Sequence, residues 1–333
     1  MLSQQDLGGK MKPDQIEQAI REVLLEIDAT PTPANEVLNR YTRSRRYIGS
    51  KDRKALTQGV WDALRARPTP DWIKAAIAEK ELVAMNEPAQ FILRVNGDRD
   101  EVQKTLSDTG IHTEQTKLSP IGLVCEKRFD LNTNELYRSG QIEVQDEGSQ
   151  LIALATGIKS GEKVLDYCAG AGGKSLCFAW MMKNQGQIVA HDISARSLKE
   201  LEKRANRAGV KIETTLKPTG VFDHVVVDAP CSGSGTWRRC PDARLKLTEG
   251  QVKTLVKLQA EILDKACSFV KQGGKLHYMT CSLLEAENQE QMRSFLKRHK
   301  EFRLLHHQQW TPATTHTDGF FLASFERDAH ART

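Results

Sequence analysis

Phe222-Asp223-His224-Val225-Val226-Val227-Asp228-Ala229-Pro230-Cys231-Ser232-Gly233-Ser234-Gly235 runs from an apolar, β-branched stretch into a carboxylate, a proline and a cysteine, then breaks into Gly-Ser-Gly. Its first half reads as a buried strand. The proline stops further ladder pairing, and the glycines let backbone approach a ligand closely. This is the layout of an active-site loop at the carboxyl end of a strand. Taken alone, it is equally the layout of a tight turn around a buried free cysteine. Two further strand ends weigh against that plain reading: Met279-Thr280-Cys281-Ser282 and Asp166-Tyr167-Cys168-Ala169-Gly170-Ala171-Gly172-Gly173-Lys174.

Working outward, strands and helices alternate regularly from Gly161. Strands are predicted over Lys163–Asp166, Gln187–Asp192, Lys211–Leu216, Phe222–Asp228 and Gly274–Met279, with Phe302–Gln308 and Gly319–Phe325 closing the sheet. Helices follow the glycine-rich turn through Met182 and span Ala195–Ala208. Thr248 with Gln251 makes a capping box for a helix to about Val270, and Ser282 with Glu285 is expected to cap the next. Alternation of this kind predicts an α/β, Rossmann-like, doubly wound parallel sheet with its ligand at the carboxyl ends of the strands.

The chain before it divides in two. Ile16, Ile20, Val23, Leu24 and Ile27 share one helical face, Thr32-Pro33 reads as a helix start with Thr32 as cap and Pro33 at the first helical position, and Lys54–Leu64 and Asp71 onward read as further helices. Residues 12–85 are therefore expected to form a helical domain, after about ten disordered residues. Phe91–Asn96, a helix over Glu101–Leu106, a strand near 112–116 and Gly122–Cys125 give a small α+β unit over 86–140. The doubly wound domain then covers 141–333.

Length and composition, 333 residues with 39% hydrophobic and 27% charged, are those of an ordinary globular protein of two or three domains. No apolar run approaches a membrane span, and the N-terminus lacks a signal-peptide pattern. Seven cysteines without a CxxC pair argue for reduced thiols in the cytoplasm, and against a disulfide framework or a metal site. Net charge is +5, which permits a nucleic-acid partner without requiring one. The sequence does not set the oligomeric state, and a monomer is favoured. Arg40, Arg43, Arg45, Arg46, Lys51, Arg53 and Lys54 form a dense basic block with Tyr41, Tyr47 and Trp61 in or beside it. An RNA-facing surface has this composition, and so does a solvated helical face.

The glycine-rich turn lacks the dinucleotide fingerprint and the spacing of a phosphate loop. Asp192, ending the next strand 20 residues after Gly172, is placed to accept hydrogen bonds from a ribose diol. Acidic strand ends without a phosphate cradle favour the adenosine of S-adenosylmethionine over ATP or NAD.

The set Val144-Gln145-Asp146-Glu147-Gly148-Ser149, Asp166…Gly172-Gly173-Lys174, Asp228-Ala229-Pro230-Cys231-Ser232-Gly233, Thr280-Cys281-Ser282 and Asp318-Gly319-Phe320-Phe321 resembles the Nop/Sun family of RNA cytosine-5 methyltransferases, over roughly residues 91–327. Residues 12–85 more faintly resemble the NusB-type domain of its bacterial ribosomal RNA members, and 86–140 an RRM-like unit. The resemblance implies cofactor contacts from Cys168, Ala169, Gly170, Ala171, Gly172, Gly173, Lys174, Asp192 and Asp228. It implies Cys281 as nucleophile and Cys231 as helper in product release. Two positions depart from the family pattern. Glu213-Thr214-Thr215-Leu216 offers no acidic residue after the third strand, and Ala169-Gly170-Ala171-Gly172-Gly173 replaces Ala-Pro-Gly-Gly.

The chemistry asks for these groups. Cytosine C5 becomes nucleophilic only when a thiolate adds to C6, and nearby positive charge, with Lys174 a candidate, favours a thiolate. Charge then builds on N3, where Asp228 is placed to hydrogen-bond or donate a proton. Arg238, Arg239 and Arg244 beside the Cys231 loop are expected to hold phosphates. The expectation is S-adenosylmethionine-dependent methylation of small-subunit ribosomal RNA. Transfer RNA as substrate, and a non-catalytic RNA-binding assembly factor on the same fold, are the rival readings. A DNA cytosine-5 enzyme is disfavoured by Thr280-Cys281-Ser282.

Overall fold

The computed structural model describes residues 11–329 of the chain, so the expected disorder of the first ten residues lies outside the described residues. Four strands, β1 (Phe91–Val95), β2 (Thr113–Gln115), β3 (Gly122–Cys125) and β4 (Ile142–Val144), form an antiparallel sheet in the order β2-β3-β1-β4. Its fourth strand comes from beyond residue 140. Seven more, β5 (Lys163–Asp166), β6 (Gln187–His191), β7 (Glu213–Thr215), β8 (Phe222–Asp228), β9 (Val270–Thr280), β10 (Phe302–Trp310) and β11 (Phe320–Arg327), form the large sheet in the order β10-β11-β9-β8-β5-β6-β7.

That sheet is mixed rather than all parallel. β5 to β9 are parallel, whereas β11 runs antiparallel to both β9 and β10. The reason is the connection 311–319, which is too short for a parallel crossover needing about a dozen residues or more. The strand order reverses between β5 and β8. Outside the carboxyl ends of those two strands lies the crevice where such sheets bind ligands.

Buried side chains explain the central strand. Val225 and Val227 pack on one face with Leu276, Tyr278, Phe295 and Phe325. Val226 faces the other way, with Met279, Leu322, Ile152 and Phe178. All three valines are fully buried, which stabilises the fold by about 1.5–3 kcal/mol per side chain.

The N-terminal helices Pro13–Asp28, Ala34–Ser44 and Ser50–Ala66 pack a separate core from Val23, Ile27, Val37, Leu56, Val60 and Leu64. Two starts differ from expectation. Thr32 does not cap the second helix, because its hydroxyl is taken by Thr30, and the Asp242 carboxylate accepts the Ala34 N–H at 3.0 Å instead. The third helix begins at Ser50, not Lys54, with Asp52 turned inward to accept the Met11 N–H at 3.1 Å. The capping box of Thr248 and Gln251 is present. Ser282 and Glu285 make none: the Ser282 hydroxyl is buried and donates to Glu287, and Gln289–Arg298 is the helix that follows.

Candidate active site

The glycine-rich turn leaves β5 at Asp166 and enters the helix Gly173–Met181 through Gly172, whose φ of +83° is left-handed. Any side chain at Gly172 would also overlap Leu201, so glycine is required there on two counts. Asp192, just past β6, accepts the Gly170 N–H at 2.9 Å through Oδ2 and the Ser194 N–H at 2.8 Å through Oδ1. It thereby ties the strand end to the turn. Ala169 is pinned by its N–H to the His191 carbonyl, and the Ala171 carbonyl accepts from Arg204. Burial, then the neighbouring carboxylates, pushes the Cys168 thiol far up, so it stays protonated.

The turn fits a nucleoside cofactor bearing donor groups. Gly170 and Gly173 have open space where a side chain would stand. Asp166 accepts the Ser175 hydroxyl at 2.6 Å through Oδ2, while its buried Oδ1 has no partner. Burial pushes this carboxyl up to about 7. Ile193, next to Asp192, is 93% exposed, an apolar surface beside the proposed ribose ligand that sequence reading missed. Past β7 stands Leu216, exposed, with no carboxylate at that strand end.

At the end of β8 the Lys174 ammonium donates to Asp228 Oδ2 at 2.5 Å. Burial pulls Lys174 down most, but Asp228 outweighs it, and the net shift is upward, so the ammonium persists. The charge that sequence reading offered to a cysteine is therefore bound first to Asp228. Three residues past Asp228, Cys231 Sγ lies 3.4 Å from Cys281 Sγ at the end of β9. Both cysteines are half-buried. The hydrogen bond to Cys281, followed by burial and the charges of Cys281 and Glu287, pushes the Cys231 thiol well above its ordinary value. Cys231 thus keeps its proton and can donate it to its neighbour. The loop after Cys231 is held backbone to backbone: Gly235 N–H donates to the Cys281 carbonyl at 2.9 Å, and Gly319 N–H to the Gly235 carbonyl at 2.8 Å. Only glycine allows that approach, since a side chain at Gly235 would overlap Gly319.

Every cysteine and carboxylate expected at the site lies at the carboxyl end of the large sheet. The arginines are a different matter. Arg238 and Arg239 are committed to the buried carboxylates Asp146 and Asp318. Arg244 is buried, donating to the Arg65 and Arg67 carbonyls at 3.2 and 3.4 Å and to Asn86. None of the three is free to hold phosphate. Among the described residues no group of His, Cys, Asp and Glu is arranged to hold a metal ion. No helix there is long and apolar enough to cross a membrane.

The chain is 35% identical over 65% of its length to the probable ribosomal RNA small subunit methyltransferase B of Bacillus subtilis, covering 51% of that protein. It is 32% identical over 76% of its length to ribosomal RNA small subunit methyltransferase B of Photorhabdus laumondii, covering 65% of it. The chain thus spans between half and two thirds of these relatives. The fold superposes with a TM-score of 0.70 on NSun6 from Pyrococcus horikoshii, solved with SFG, at 18% identity and over 80% of this chain and 98% of that one. Residues 153–326, which hold the glycine turn, Asp192, Asp228 and both cysteines, match the family described as 16S rRNA methyltransferase RsmB/F. More than half of the sequence lies within that match, and the chain belongs to the RsmB/F family of 16S rRNA methyltransferases.

Proposed function

We propose that the protein transfers a methyl group to C5 of a cytosine in small-subunit ribosomal RNA, by way of a covalent bond between Cys281 and C6. The observation that carries this reading is the Cys231–Cys281 pair at 3.4 Å, set beside the Lys174–Asp228 pair at the strand-order reversal. S-adenosylmethionine, when bound, supplies the electrophilic methyl group. Asp192, the turn from Cys168 to Lys174 and Asp228 would hold it. SFG, an S-adenosylmethionine analogue, in the NSun6 structure supports that choice.

The chain's own residues do the rest. The Cys281 sulfur adds to C6 of a base taken out of its stack, and C5 gains the electron pair it needs to attack. Negative charge on N3 meets the Asp228–Lys174 pair, which holds a proton and a positive charge at that point. C5 then gives its proton to solvent water, the freed C–H electron pair re-forms the C5–C6 double bond, and the C6–S bond breaks with its electron pair returning to Cys281. The Cys231 S–H donates to that departing sulfur. Bisulfite sequencing of ribosomal RNA from cells with and without the gene tests the reading: one 5-methylcytosine should vanish, and an unchanged map would refute it.

Asp192→Ala should weaken S-adenosylmethionine binding about tenfold or more, because a hydrogen bond to a charged group contributes roughly 1.5–3 kcal/mol. Calorimetry on the two proteins decides this, and equal affinities would remove Asp192 from the site.

The helical part, proposed as a NusB-like domain over 12–85, would add affinity for RNA, with the RRM-like unit over 86–140 beside it. Arg43, Arg46, Lys51, Arg53 and Lys54 are exposed and make no ion pair with any of the described residues, and Tyr47 lies exposed among them. The rest of the block is spoken for. Arg40 and Arg45 pair with Glu26 and Glu22, Tyr41 is buried under Arg45, and Trp61 packs on the helical core. Replacing Arg43, Arg46 and Arg53 by Gln should lower the slope of log affinity against log salt by about 2 units, at roughly 0.7 per phosphate of single-stranded RNA. A salt titration showing the original slope would make this face solvent-facing only. The seven free thiols fit the reducing cytoplasm as the place of action.

A further inference from the structure

Glu287 is fully buried and, among the described residues, no lysine or arginine pairs with it. An ionised carboxylate in such a place is costly unless hydrogen bonds saturate it. Here four donors converge. Oε1 accepts the Ser232 N–H at 2.8 Å and the Gln259 side-chain amide at 2.9 Å. Oε2 accepts the Ser232 and Ser282 hydroxyls, each at 2.5 Å. Ser232 immediately follows Cys231 and Ser282 immediately follows Cys281.

We propose that Glu287 is the positioning residue for both thiols: its one carboxylate ties the loop after β8 to the loop after β9, so that Cys231 and Cys281 face each other. It touches neither sulfur in a hydrogen bond and acts through the two serines. The turn that carries it is itself braced. The Tyr278 hydroxyl donates to the Glu287 carbonyl at 2.6 Å, and Asn288 accepts from Thr280 at 2.6 Å and donates to the Ser282 carbonyl at 2.8 Å. Gln259 adds a second tie by donating to the Pro230 carbonyl at 3.0 Å. The negative charge held behind Cys231 also favours its protonated form, consistent with a donor's part in releasing product.

This rests on the reading that the two thiols do the chemistry, so the test reads their geometry separately from methylation. The full-length protein is treated with dibromobimane, which bridges two neighbouring thiols, and the Cys231–Cys281 cross-link is followed by peptide mass mapping. Wild type should cross-link readily. Glu287→Ala should do so about tenfold more slowly or worse, with S-adenosylhomocysteine affinity unchanged, and kcat should fall about a hundredfold while KM holds. Glu287→Gln, which fills the same space and can still meet both serines, should restore most of the cross-linking rate. A wild-type cross-linking rate in Glu287→Ala overturns the proposal, whatever happens to activity. If wild type methylates nothing yet Glu287→Ala still loses the cross-link, the clamp stands and the methyltransferase reading falls. Should Glu287→Ala not fold, Ser232→Ala/Ser282→Ala cuts both hydroxyl ties and serves in its place, with slower cross-linking supporting the clamp and an unchanged rate refuting it.

Discussion

Cys231→Ala should stall as a covalent protein–RNA complex on a denaturing gel, and Cys281→Ala should form none. The asymmetry follows from the roles given to the two sulfurs. Without Cys281 nothing adds to C6, so methylation should fall about 10⁴-fold or more, on the scale seen when a nucleophile is removed. Cofactor binding should survive, because the glycine turn and Asp192 are carried by β5 and β6. Without Cys231 the proposed adduct should still form, but the departing sulfur would have lost the S–H that lies 3.4 Å away. Packing loss cannot mimic this result. A cavity at either position would destabilise the fold by about 1–3 kcal/mol and would not leave RNA attached to protein. Labelled RNA with S-adenosylmethionine, run against both single mutants and the double mutant, decides it. A slow band from Cys281→Ala would reverse the roles, and full activity in both mutants would end the covalent mechanism.

Much of this site is legible in the residues because its signals are local. A β-branched run followed by Asp-Ala-Pro-Cys, or a glycine pair before a helix, carries its own geometry within a few positions. Strand direction is not local. Phe302–Trp310 and Phe320–Arg327 read as strands whichever way they run, and only the short connection between them makes the sheet mixed. Charge is legible but partnership is not. Arg238 and Arg239 beside Cys231 read as phosphate ligands, yet their carboxylates stand 80 and 92 residues away along the chain from Arg238. Glu287 is hidden for the opposite reason. Glu285 sits at the spacing of a capping box with Ser282, and the pattern gives no hint that the Ser282 hydroxyl turns inward to the second carboxylate.

Asp318→Ala should destabilise the protein by about 3–5 kcal/mol, far more than the loss of an exposed ion pair. The Asp318 and Asp146 side chains are almost wholly buried, and they share Arg238 and Arg239 between them. Burial, then repulsion from Asp146, raises the Asp318 carboxyl, while the two guanidiniums pull it down. Removing Asp318 relieves that repulsion but leaves two cations facing one carboxylate, and Arg238 is itself buried. The uncompensated charge outweighs the relief, because desolvating a guanidinium without a partner costs several kcal/mol. Asp28→Ala is the control. It breaks an ion pair with Arg67 whose groups are a third to a half exposed, worth about 1 kcal/mol or less. Urea unfolding compares the two, and a midpoint for Asp318→Ala no lower than that of Asp28→Ala would show that the network carries no such weight. The consequence reaches the site, since Asp318 directly precedes Gly319, whose N–H donates to the Gly235 carbonyl while Gly235 N–H donates to the Cys281 carbonyl. Folded Asp318→Ala should therefore lose methylation while keeping its affinity for S-adenosylmethionine, because nothing in the network touches the glycine turn that would bind it.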